Sequence, residues 1–124
     1  MNLGDRTSMT VAVPDITEAA MFTLSIEHEI TDYLTWKTAF DRFAAAREQA
    51  GVLGDRIRRP VDDLQHLVIE LDFKTRDGAE DFRDFLTTVV WPNPDASPAL
   101  SGRPTTRILE PAGERPYSQG PAST

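Results

Sequence analysis

No cysteine occurs in the 124 residues. That absence excludes a disulfide framework, a thiolate metal site and a cysteine nucleophile, and it suits a chain that works in a reducing cytoplasm. Positive charge is also in short supply. Thirteen Lys and Arg face twenty Asp and Glu, for a formal net charge of -7, and no basic patch interrupts that balance. An acidic field repels phosphate backbones and anionic lipid, so the reading is no nucleic acid and no membrane surface. No apolar run approaches the roughly 18 residues of a membrane span, and no basic stretch followed by an apolar one marks export. Phosphate loops, nucleophile elbows and paired carboxylates are missing too. With only two histidines, distant in sequence and without a carboxylate at ligand spacing, the reading assigns no metal.

Proline is scarce where regular structure is expected. Of nine prolines only Pro60 lies between residues 21 and 91, and seven follow Trp91. The chain therefore divides into a flexible N-terminal extension over residues 1–20, one α+β domain over 21–111, and a flexible tail over 112–124 rich in residues that punctuate rather than pack. Met21 directly precedes the first strong strand signal, so the leading residues also read either as a dispensable extension or as the artefact of an early start codon. Length and a 40% hydrophobic content suit one core of ordinary size.

Phe22 to Ile30 alternate strictly, with Phe22, Leu24, Ile26, His28 and Ile30 on one face, which predicts a strand with one apolar side. Asp32 then caps a helix whose Tyr33, Trp36, Phe40, Phe43, Ala44 and Ala50 recur at helical spacing, and Gly51 ends it. A short strand over residues 55–59 and a turn at 60–63 lead into a second alternating run over 65–73, so strands two and three form a hairpin. A second amphipathic helix, begun by Thr75 or Asp77, buries Ala79, Phe82, Leu86 and Val89 and stops near Trp91, before Pro92. A last strand is expected over residues 105–109. The order β-α-β-β-α-β is a ferredoxin-like unit: a four-stranded antiparallel sheet with two helices on one face. The opposite face reads as polar, with Glu27, Glu70, Arg56 and Arg58 either pairing across to a second sheet or facing water.

The run His28-Glu-Ile30-Thr-Asp32-Tyr33-Leu-Thr-Trp36-Lys-Thr-Ala-Phe40-Asp41, with the strand before it, resembles small bacterial proteins of the dimeric α+β barrel superfamily. In those proteins a first-strand H-x-V is followed by D-Y-x-x-W-x-x-x-F-D. The resemblance extends from about Met21 to Pro111 and takes in the Asp62-Asp63 hairpin and the Leu71-Asp72-Phe73 junction. It implies a homodimer with two facing sheets and a small-molecule pocket between helices and sheet in each subunit. Among the activities it implies are antibiotic-biosynthesis-type monooxygenases that need no cofactor, haem-degrading enzymes, cyclases and isomerases. Residues 75–91 hold no histidine to ligate haem iron, and Phe73 stands where some relatives have tryptophan, so haem degradation is disfavoured.

His28 is the candidate catalytic residue, because a titratable ring on an apolar face can have its pKa moved to the working pH. The alternative is a core histidine satisfied by Tyr33, a backbone carbonyl or water. Tyr33, Trp36 and Phe40 read either as plain core or as an aromatic lining for a flat ligand. Arg58, with Arg56 and Arg59, reads as a carboxylate or phenolate holder or as part of a charged edge strand. Trp91-Pro92-Asn93-Pro94 opens a loop able to close over a pocket mouth. The functional expectation is a small hydrophobic or aromatic ligand, bound by a cofactor-independent monooxygenase, cyclase or isomerase acting on a phenolic or quinol-like compound. The competing expectation is a non-catalytic structural or partner-binding homodimer.

Overall fold

The computed structural model describes residues 21–117. Most of the two expected flexible ends, residues 1–20 and 118–124, lies outside the described residues; residues 110–117 carry no regular structure.

Alternation decides the sheet. The strands β1 (Phe22–Ile30), β2 (Val52–Arg58), β3 (His66–Phe73) and β4 (Leu100–Leu109) pair antiparallel in the order β2-β3-β1-β4. In the β1–β3 register Leu24 faces Leu71, Ile26 faces Ile69 and His28 faces Leu67. One sheet face therefore carries an unbroken apolar surface, and Leu24, Leu67, Leu71 and Phe73 on it are almost fully buried. Helices α1 (Tyr33–Arg42), α2 (Ala44–Gln49) and α3 (Arg76–Phe85) cover that face.

Asp32 caps α1 as expected, its carboxylate accepting from the Thr35 amide at 2.9 Å. The single helix expected as far as Ala50 is instead two. At Phe43 the turn tightens, its N–H bonding back three residues to the Phe40 carbonyl at 3.3 Å, before α2 restarts from the Phe43 carbonyl. This bend swings Arg47 toward β2, where Asp55 stands. Gly51 leaves α2 with φ +102°, a conformation that costs glycine nothing and other residues about 1–2 kcal/mol.

Thr75, one of the two expected starters, caps α3 by accepting from the Gly78 amide at 3.0 Å. The helix continues into a π-helical turn, Leu86–Val90, in which the Trp91 amide reaches back five residues to Leu86. Thr87 and Thr88 each donate a hydroxyl to the carbonyl four residues earlier, at 2.8 Å, a side-chain bond that loosens the backbone ladder.

β4 starts five residues before the expected Thr105. Gly102 (φ +77°) and Pro104 sit in a bulge, since Glu27 pairs with Thr105 while Glu29 pairs with Ser101. An edge strand tolerates both residues, because the missing proline N–H faces outward or falls in the bulge.

Candidate functional site

A cavity of about 600 Å³ lies between the apolar sheet face and the helices. Ile26, His28, Ile69 and Leu71 form its floor; Trp36, Phe40, Phe43 and Arg47 line one wall, and Phe82, Leu86, Val89 and Trp91 the other. Phe43 and Val89, expected in the core, are 39% and 51% exposed because they face this cavity and its mouth. The loop after Trp91 contributes Ala96, Ser97 and Pro98 to the rim.

His28 is 5% exposed. Its Nδ1 lies 3.0 Å from the Glu29 carbonyl oxygen. A carbonyl only accepts, so Nδ1 carries the proton and the neutral ring presents Nε2 as a lone pair. Burial pushes the His28 pKa below its ordinary value, and the Glu29 carbonyl opposes this only in part. Among the described residues no protein group bonds Nε2. A backbone carbonyl thus satisfies one nitrogen, and the other is free to act as a base.

The aromatic residues of α1 form a row. Trp36 lies 5.9 Å from the His28 ring and stacks on Phe40 at 4.9 Å and 19°. Tyr33 is 6.3 Å from Trp36, outside the cavity lining, with the Arg59 guanidinium over its ring at 4.9 Å. Arg58 is elsewhere. It is opposite Val68 in the β2–β3 register and 66% exposed, and it donates to Glu70 at 2.9 Å on the far sheet face. Alternation explains the correction: Ile57 pairs with Ile69 facing inward, so its neighbours point outward. His28, Trp36 and Phe40 are therefore brought together, Tyr33 supports them from behind, and Arg58 is separated from them by the sheet.

One residue at the cavity escaped the sequence reading. Arg47 is 8% exposed and stacks over Phe40 at 3.6 Å. The signal was available, for Trp36, Phe40, Phe43 and Arg47 follow the i, i+4, i+7, i+11 spacing of one helical stripe.

The outer sheet face is polar and internally paired. Arg56 forks onto Asp72 at 2.7 and 3.0 Å and reaches Glu70 at 3.1 Å, while Thr23 donates to Asp72 at 2.8 Å. The charges, read either as pairing across to a second sheet or as facing water, pair sideways, between neighbouring strands. His66 touches both Glu27 and Glu29, and Asp63 lies near enough for Glu29, Asp63 and His66 to offer a cation three ligands. Both His66 nitrogens already face carboxylates, which raises its pKa; the imidazolium form satisfies the cluster by itself.

No family model and no curated protein matches the chain. Solved structures do. A single-site variant of SnoaB, a cofactor-independent oxygenase from Streptomyces nogalater, is 20% identical with TM-score 0.60, over 80% of this chain and 100% of that one. The ActVA-Orf6 monooxygenase of Streptomyces coelicolor, in complex with nanaomycin D, is 15% identical with TM-score 0.55, over 80% and 94%. A dimeric ferredoxin-like protein from an uncultured marine organism is 15% identical with TM-score 0.54, over 77% and 99%. The chain has the ferredoxin-like fold of these structures. In this ferredoxin-like fold the cavity occupies the space between helices and sheet, and His28 sits on its floor.

Proposed function

We propose that the protein is a cytoplasmic homodimer that binds a flat phenolic or quinol-like molecule in this cavity. It acts on that molecule as a cofactor-independent oxygenase with His28 as the base. The observation that carries the reading is a neutral, buried histidine that lines an apolar cavity of about 600 Å³ walled by stacked aromatics, its Nδ1 bonded to a backbone carbonyl and its Nε2 without a partner among the described residues. A space of that size and character takes a fused-ring molecule. The names of the structurally similar SnoaB and ActVA-Orf6 support the same class of reaction.

The chemistry needs little from the protein. Nε2 removes the proton of a ring hydroxyl, and the negative charge spreads to a ring carbon. Dioxygen adds at that carbon, and the resulting peroxide anion takes the proton back from the imidazolium. Loss of water from the peroxide then leaves a carbonyl, so one oxygen atom stays in the product and the other departs as water. Two C–H bonds of the keto form supply the four electrons. Trp36 and Phe40 hold the ring plane against the floor and exclude water.

Oxygen uptake with hydroxynaphthalene and anthrone probes tests this reading. The wild type is expected to consume oxygen, and His28→Gln to bind the same probe while turning over at least about 100-fold more slowly. Undiminished turnover in a folded His28→Gln protein removes His28 as the base. Binding without uptake in the wild type leaves a non-catalytic binding dimer.

A further inference from the structure

Arg47 carries a largely buried charge that the protein satisfies only in part, through a long ion pair. Its Nε is inaccessible to solvent and has no hydrogen-bond partner. Asp55 is the nearest carboxylate, at 3.7 Å from Nε, beyond hydrogen-bond reach, and its own side chain is 39% exposed. Among the described residues no other acceptor bonds the guanidinium. Stacking on Phe40 at 3.6 Å fixes its plane, and among the described residues it is the one Lys or Arg lining the cavity. Nε alone is closed off; the terminal guanidinium nitrogens have no hydrogen-bond partner among the described residues, and an anion in the cavity accepting from them would complete the pairing of the charge.

We infer that the cavity's natural ligand is a planar aromatic acid, its carboxylate held by the Arg47 guanidinium while its rings lie along Phe40 and Trp36 toward His28. The inference rests on the cavity being a ligand site and adds the class of ligand. The aromatic row joins the two polar ends, since Arg47 lies over Phe40, Phe40 on Trp36, and Trp36 beside His28. A molecule with an acidic group at one end and a ring hydroxyl at the other meets both. Arg47 then acts as a specificity-determining residue, and the proton transfer stays with His28.

The test is calorimetric titration of the full chain with a matched pair, 6-hydroxy-2-naphthoate and 6-hydroxy-2-naphthamide, which carry their two groups at opposite ends and differ in charge and hardly in shape. The wild type is expected to bind the carboxylate at least about tenfold tighter, the scale of a charge-assisted hydrogen bond. Arg47→Met should erase that preference, bringing the two affinities within about twofold of each other. Arg47→Lys, which keeps the charge and loses the planar fork, should retain part of it. Equal binding of the two compounds by the wild type overturns the inference and leaves the cavity a ligand site. A preference that survives in Arg47→Met also overturns it. Binding of neither compound by the wild type overturns the inference together with the reading on which it rests. The wild-type comparison decides the matter even if the methionine variant does not fold.

Discussion

His28 and His66 lie on opposite faces of one sheet and respond oppositely to pH. Two carboxylates raise the His66 pKa, so its contribution to stability is complete below about 6.5 and fades as pH climbs through the folded value. Burial lowers the His28 pKa, Glu29 opposing it in part and the charge of His66 adding to it, so unfolding takes up a proton below about 6.5 and stability falls as pH drops through the folded value. Urea unfolding at about pH 5 and about pH 8 separates the two. His28→Gln should gain on the wild type at the lower pH, and His66→Asn should lose more there than at the higher one. If both differences are independent of pH, the assigned protonation states are wrong. Ala99 is a different kind of residue, the one non-glycine with positive φ (66°) among the described residues, and its carbonyl accepts from the Thr31 amide at 2.8 Å. Ala99→Gly should relieve that backbone, raising stability by a few tenths to about 1 kcal/mol after the entropy of the freer unfolded chain is subtracted.

Within the elements, α3 begins on a hydroxyl with two roles. Thr75 Oγ1 caps the helix and also lies 3.2 Å from where a Cβ on Gly78 would stand. Thr75→Ala is expected to cost about 1 kcal/mol, and Gly78→Ala to be harmful in the wild type but much less so when combined with Thr75→Ala. A double-mutant cycle in urea showing simple additivity would deny the conflict. The elements also show what could be read in advance. Period-two and helical spacings located β1, β3, the hairpin, and the starts of α1 and α3, because one buried face imposes its period on the residues. The break at Phe43 was not legible, since Phe43, Ala44 and Arg47 continue the helical pattern through it; nor was the π turn, where Thr87 and Thr88 redirect the backbone through side-chain bonds. Residues 100–104 were hidden because Gly102 and Pro104 signal a loop in any chain that lacks a bulge to hold them. The site divided along the same line. Alternation placed His28 correctly, while charge alone suggested Arg58 and passed over Arg47, whose helical stripe points inward.

For the whole molecule, the outer sheet face bears on acid stability and on the proposed dimer. The Asp72 side chain is 11% exposed, and the Arg56 guanidinium, followed by the Thr23 hydroxyl, holds its carboxyl below the ordinary range. That contribution is present above about pH 4 and is lost as pH falls through the folded value. Arg56→Ala is expected to cost about 1–2 kcal/mol at neutral pH, toward the low side because Arg56 itself is 46% exposed, and to flatten the acid limb of the stability curve. A face whose charges are already matched in pairs can meet a second copy without stranding any of them; sedimentation should show the proposed dimer in the wild type and a smaller species in Glu70→Lys, which sets three cations side by side. The bulge in β4 bears on a different kind of assembly. β2 and β4 are the two margins at which this sheet could recruit further strands. Arg58, Arg59 and Pro60 close one of them, and Gly102 and Pro104 distort the other. Neither margin can template a copy of itself, so the protein should stay free of fibrillar growth at concentrations where a flat, unbroken edge would seed it.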